Sequence, residues 1–287
     1  MSAPSLELPA IAPAARTAAR HRRVPPSLIA GAIILGLIVA AAIAAPLITS
    51  YNPDQQDLSH VLAGPSAQHW LGTDQLGRDV WSRLVYGART DLQVAFIAVL
   101  SPFALGSLLG VLAGYFGGWL DGVIMRLADV VVAFPFYVLV ILLVFVLGPG
   151  TRSIYIAITV VSWVSYARIV RGETQVAREQ EYVLSARIAG LGRTRIILRH
   201  ILPNVITQAI VFAMSDIVLD ILAIVTLGYL GLGIPPPTPD WGSMMASGQE
   251  FLTTHWELAT IPGIAVVITG LGLSLLGDGL ADVLRVE

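Results

Sequence analysis

Two carboxylates, Asp216 and Asp220, stand one helical turn apart inside a long apolar run, where ionisable side chains are rare and tend to be functional. Turned toward lipid, such a side chain would cost about 2.5–3.5 kcal/mol, so both must face protein or water. A pair on one helix face suits the wall of a translocation path; the alternative is that both hydrogen-bond structurally to a partner chain. The remaining repertoire for chemistry is narrow. The chain has no Cys, which removes disulfides, thiolate metal sites and Cys nucleophiles together. Its five histidines, His21, His60, His69, His200 and His255, show no ligand spacing, so no metal site is expected. All 17 basic residues are Arg, and a P-loop needs a Lys to reach the β- and γ-phosphates. Any ATP must therefore be hydrolysed by a partner. An intramembrane enzyme would need a nucleophile beside a base, or clustered ligands within the apolar runs. The sequence offers neither, and no catalytic residue is assigned.

The elements that hold such aspartates must be membrane helices. With 55% hydrophobic and 13% charged residues, a mean hydropathy of +0.76 and a net charge of -2, the chain needs lipid as its solvent. The expected fold class is all-α, a polytopic membrane protein of about six transmembrane helices with a cytoplasmic loop of short coupling helices. A span takes roughly 20 apolar residues. Runs 28–48, 92–115, 130–148 and 258–277 qualify directly; 153–167 is short and 201–233 carries the two aspartates, which brings the count to six. The alternative for the first run is a cleaved signal peptide, because Arg20, Arg22 and Arg23 precede it, but it is longer than an h-region of roughly 7–15 residues. Residues 1–27 read as a disordered cytoplasmic tail and 28–287 as one transmembrane domain, without an internal repeat. With the N-terminus inside, thirteen Arg fall on the cytoplasmic side, against Arg78, Arg83, Arg89 and Arg152 outside. Both termini are then cytoplasmic, in a multi-pass protein of the inner or plasma membrane.

Three stretches between the spans carry pattern. The cytoplasmic loop 172–204 reads as two short helices. Glu179, Gln180 and Glu181 suit a helix start, Tyr182, Val183, Ala186 and Ala189 form an apolar stripe, and Gly190 supplies a left-handed turn. A second helix is expected from Arg193 to Leu202, with Arg187, Arg195 and Arg199 ringing the unit. The alternative is an interfacial elbow whose Arg side chains meet lipid headgroups. Outside, segments 51–91 and 234–257 are expected; in the first, Thr73 or Asp74 can cap a helix lying flat on the membrane, with Asp79 and Arg83 spaced for an i, i+4 pair. Trp70 and Trp81 would anchor it at the interface, or Trp70, Asp74, Arg78, Asp79 and Arg83 would form an outer lip over the path.

The run Glu181-Tyr182-Val183-Leu184-Ser185-Ala186-Arg187-Ile188-Ala189-Gly190, continued by Arg195 to Asn204, resembles the coupling loop of ABC importer permeases. His69-Trp70-Leu71-Gly72-Thr73-Asp74, Gly77-Arg78-Asp79 and Tyr86-Gly87-Ala88-Arg89 resemble one branch, the C-type permeases of the dipeptide, oligopeptide and nickel importers, as do Leu230-Gly231-Leu232-Gly233 and Trp241-Gly242. The chain departs from that pattern at Leu184, Ser185, the stretch Ile224 to Thr226, and Ser274. The resemblance implies a permease subunit forming half of a path for di- or oligopeptides. It also implies a second homologous permease, two cytoplasmic ATP-binding domains that use ATP and Mg, and an extracytoplasmic substrate-binding protein. In that setting Glu181, Tyr182, Ala186, Arg187, Gly190, Arg195 and Arg199 would couple to the ATPase. The chain itself would bind no cofactor, and its surroundings would be lipid rather than nucleic acid. Nickel or another small solute is the alternative cargo, and an ion-coupled secondary transporter the alternative mechanism.

Overall fold

A computed structural model describes residues 25–284, and among them every regular element is a helix. In chain order these are α1 (Pro26–Ile43), α2 (Ala45–Ile48), α3 (Val80–Phe116), α4 (Gly118–Val132), α5 (Phe136–Leu147), α6 (Thr151–Ala177), α7 (Glu181–Ile188) and α8 (Arg193–Ile196). A π-helical turn, Ile197–Ile201, leads into α9 (Leu202–Tyr229), followed by α10 (Trp241–Gly248), a 3-10 turn Gln249–Phe251, and α11 (Glu257–Leu284). Five helices are long and apolar enough to cross a membrane: α1, α3, α6, the continuous Arg193–Tyr229 and α11. The pair α4 and α5 makes a sixth crossing only as a span bent by 90°.

Small residues decide how the bundle packs. Lipid tails offer helices no hydrophobic reason to associate, so close backbone approach must supply the contact. Gly106, Gly110 and Gly114 form a stripe on α3, and a Cβ added there would stand 2.3, 2.6 and 2.7 Å from the carbonyl oxygens of Trp163, Ala167 and Arg171 on α6. On the other side, Gly31 of α1 meets the Leu276 backbone of α11 in the same way, at 2.4 Å. Helix α9 lies between, packed against α3, α6, α10 and α11.

The structure corrects several boundaries. The third run is not one straight helix. Pro135 disfavours helical backbone at Phe134, so α4 ends at Val132 and α5 starts afresh after the bend. Helix α6 continues well past residue 167 to Ala177, tied there to α4: Arg171 clamps Asp121 through two hydrogen bonds of 2.5 and 2.6 Å, and the exposed Arg168 reaches Asp129 at 2.8 Å. The second short helix expected after Gly190 does not stand apart; α8 and the π turn run directly into α9. Nor does a separate flat helix form in the first outer segment, since the helix starting at Val80 is the membrane helix α3 itself. The first span starts at Pro26, inside the expected tail, and the rest of that tail, residues 1–24, lies outside the described residues.

Candidate functional site

Three parts of the bundle hold the expected site residues: an elbow at the C-terminal end of α3, a mid-helix carboxylate pair, and a lip at the N-terminal end of α3.

The elbow is α7, the turn at Gly190, α8 and the π turn. Gly190 has φ +76°, and its N–H donates to the Arg187 carbonyl at 3.0 Å while Leu191 N–H donates to the Ala186 carbonyl at 3.2 Å. That reciprocal pair is the Schellman closure of a helix, which needs a left-handed residue at this position and hence favours glycine. Val183 and Ala186 then turn inward with Leu191, Ile196 and Ile201 and join a core shared with Val111 of α3, Val170 and Ala177 of α6 and Val205 of α9. The expectation that Ala186 lies on a face open to a partner is therefore corrected: it is 7% exposed and covered by its own chain. Glu181, Tyr182, Gly190, Arg195 and Arg199 are exposed as expected. Arg187 is exposed too, with its guanidinium 5.5 Å from the centre of the Tyr115 ring, which ties the elbow to the end of α3. What sequence reasoning missed is the apolar surface left bare: Ile188 is 89% exposed and Leu198 59%, with Tyr182 and Leu184 also open.

The carboxylate pair divides into unequal members. Asp216, at the middle of α9, accepts a hydrogen bond of 2.7 Å from the Tyr166 hydroxyl of α6 and lines a cavity of about 470 Å³. The same cavity is walled by Phe134, Phe136 and Tyr137 at the α4–α5 bend, by Ser162 and Ser165 of α6, and by Phe212. Asp220 differs. It is fully buried, and neither carboxyl oxygen has a hydrogen-bond partner among the described residues. Of the two aspartates expected on one face, Asp216 alone lines the cavity, and Asp220 is enclosed within the bundle.

The lip is a polar lattice. Asp79, rather than Thr73 or Asp74, caps α3, its Oδ2 accepting from Ser82 N–H at 2.7 Å while Oδ1 pairs with His69 Nδ1 at 2.9 Å. The expected Asp79–Arg83 pair does not form. Arg83 instead donates to the Pro53 carbonyl at 3.0 Å and lies 3.7 Å from Asp74, which is itself bound by Arg78 Nε at 2.7 Å. Asp74, Arg78, Asp79 and Arg83 are all under 10% exposed, so these four expected lip residues face one another; only Trp70, 62% exposed and 5.7 Å from the Trp81 ring, faces outward. The second outer segment locks onto this one. Trp241 donates its backbone N–H to Asp91 Oδ2 and its indole N–H to the Leu84 carbonyl, both at 3.0 Å. Asp240 caps α10 through Ser243; burial raises its carboxyl pKa, against those hydrogen bonds.

The chain as a whole is similar to known proteins. Residues 106–285 match the family described as binding-protein-dependent transport system inner membrane component, and residues 20–65 match the N-terminal TM domain of oligopeptide transport permease C. The dipeptide transport system permease protein DppC of Alkalihalophilus pseudofirmus is 41% identical over 256 residues, covering 89% of this chain and 84% of that one. The glutathione transport system permease protein GsiD of Pectobacterium atrosepticum is 38% identical, covering 89% and 85%. In fold, the chain is similar to the MetNI methionine ABC transporter in its inward-facing conformation, with a TM-score of 0.56 at 17% identity over 71% of this chain and 95% of that one. Joined to a helical bundle with a broken span and an exposed elbow, these matches show that the chain belongs to the inner-membrane-component family of binding-protein-dependent transport systems.

Proposed function

We propose that this chain forms half of the membrane passage of an ATP-driven importer of di- or oligopeptides, paired with a second permease, served by an extracytoplasmic binding protein and driven by two ATPase domains. The observation that carries the coupling role is the elbow: bare Ile188 and Leu198 on a unit seated in the core of α3, α6 and α9 and continuous with α9. A short amphipathic helix with open apolar residues suits a groove on another protein. With no Lys for a P-loop, hydrolysis belongs to the partners, and force on the elbow passes along α9 to Asp216 and the cavity at the bend. Solute sites of many transporters lie near mid-membrane beside discontinuous helices, and the broken pair α4–α5 borders the Asp216 cavity against the continuous α9. The peptide cargo is supported by the relatives named for dipeptide and glutathione transport.

The test is purification from membranes with the neighbouring transport genes co-expressed, followed by uptake of labelled di- and tripeptides into proteoliposomes. We expect an ATPase to co-elute with the parent and to be lost with Ile188→Glu, whose melting temperature stays parental. Co-elution unaffected by that change, with parental uptake, would place the elbow against lipid instead. The orientation proposed here, with both termini and the elbow cytoplasmic, has its own check: a reporter fused at Gln180 should read inside and one at Gly248 outside.

A further inference from the structure

We infer that the cleft at the lip end of the bundle receives the charged ends of a short peptide, with Arg89 taking the C-terminal carboxylate and Asp54 the N-terminal ammonium. The inference rests on the peptide reading above and gives it a second place of contact, which shares no lining residue with the Asp216 cavity. The cleft measures about 770 Å³, within the range of roughly 300–1,000 Å³ typical of small-ligand sites. Its walls come from the segment after α2, the first turns of α3 and α6, and the stretch before α10, so it is a built concavity of four chain segments.

The charge pattern points to a zwitterion. Arg78 and Arg83, a few residues before Arg89, are buried and bonded within the lip. Arg89 is exposed, lines the cleft and has no hydrogen bond or ion pair among the described residues. A guanidinium presents a planar fork of donors matched to a carboxylate, and this one is unspent. Asp54 is the complementary group. Its side chain is 41% exposed at the cleft; Oδ1 is turned inward, 3.9 Å from Arg83 Nη1, and no hydrogen bond reaches either carboxyl oxygen among the described residues. An ammonium is the donor such a carboxylate lacks. Tyr86, Gln93 and Tyr155 line the same cleft and supply polar groups able to meet a peptide bond. No group of three or more His, Asp or Glu that could hold a metal ion occurs among the described residues, so the acid does not read as part of a metal site.

The experiment uses the purified permease–ATPase complex in nanodiscs, without binding protein, and measures binding of L-alanyl-L-alanine, its C-terminal amide and its N-acetyl derivative. The parent should prefer the free dipeptide to both derivatives. Arg89→Gln should weaken the free dipeptide roughly ten- to hundredfold, the worth of one charge-assisted hydrogen bond, and leave the amide unchanged. Asp54→Asn should weaken the free dipeptide and leave the N-acetyl form unchanged, and Arg89→Lys should recover part of the loss. Parental discrimination retained in both Arg89→Gln and Asp54→Asn would overturn the inference while leaving peptide import intact. Loss of binding-protein capture by Arg89→Gln with peptide discrimination unchanged would overturn it in favour of a protein dock. A parent complex that neither binds nor imports any peptide would remove the cargo reading itself, and this site with it.

Discussion

The lip and the elbow sit at opposite ends of α3 and solve opposite problems. In the lip, ionisable side chains are buried and answer one another: His69 with Asp79, Arg78 with Asp74, Arg83 with the Pro53 carbonyl. In the elbow, ionisable side chains point outward and apolar ones are left bare, with Ile188 at 89% exposure. The lip is finished within this chain, whereas the elbow has stable internal geometry and an unfinished surface. Partners should therefore bear on the elbow through apolar contact and meet the lip only around Trp70 and the cleft beside it.

The largest effect should come from opening the lip lattice. Asp74→Asn leaves Arg78 and Arg83 without their shared anion, and stranding a buried charge costs about 3–5 kcal/mol. We expect a clearly lower melting temperature and poor recovery of the complex in detergent; a parental melt would mean that the lattice is solvated and the contrast with the elbow false. Smaller in stability but sharper in function is Ala186→Glu, which places a carboxylate in the elbow's core at a cost of at least about 2 kcal/mol. The elbow should loosen and lose the ATPase, with a lower melting temperature because that core is shared with α3, α6 and α9. Smallest is Gly190→Val. Nothing lies within 4 Å of a Cβ there, so the cost is the left-handed backbone alone, roughly 1–2 kcal/mol. Uptake should fall, and Gly190→Asn, which tolerates that conformation better, should restore much of it. Equal uptake in all three would show that the Schellman turn has no part in coupling.

Much of this comparison was legible in the sequence, and the losses have physical causes. The spans declared themselves because long uncharged runs have few other uses, and Gly190 because its position after an apolar stripe matches a known closure. The bend before α5 was signalled by Pro135 but masked by unbroken hydrophobicity around it. Arg168 and Arg171 looked like loop residues because their partners, Asp129 and Asp121, lie on another helix and a local pattern does not display them. Asp79 and Arg83 had the spacing of a helical pair, yet a capping side chain turns back to backbone N–H groups and is unavailable one turn on. Ala186 was ambiguous in kind: a small residue suits a foreign groove or its own core equally, and only Val183, Leu191 and Ile196 around it decide. The Gly106, Gly110 and Gly114 stripe, at four-residue spacing, went unread in the sequence, because a row of small residues does not name its partner; the structure gives it as α6.

The account turns on an elbow that is incomplete alone and completed by an ATPase, and amide hydrogen exchange tests that most directly. Peptides covering 181–201 and 57–79 would be followed in the permease alone and in the assembled complex. Protection at 57–79 should be high and equal in both, while 181–201 should exchange more slowly when the ATPase is present than in the permease alone. Unchanged exchange at 181–201 on assembly would contradict the coupling role assigned to the elbow.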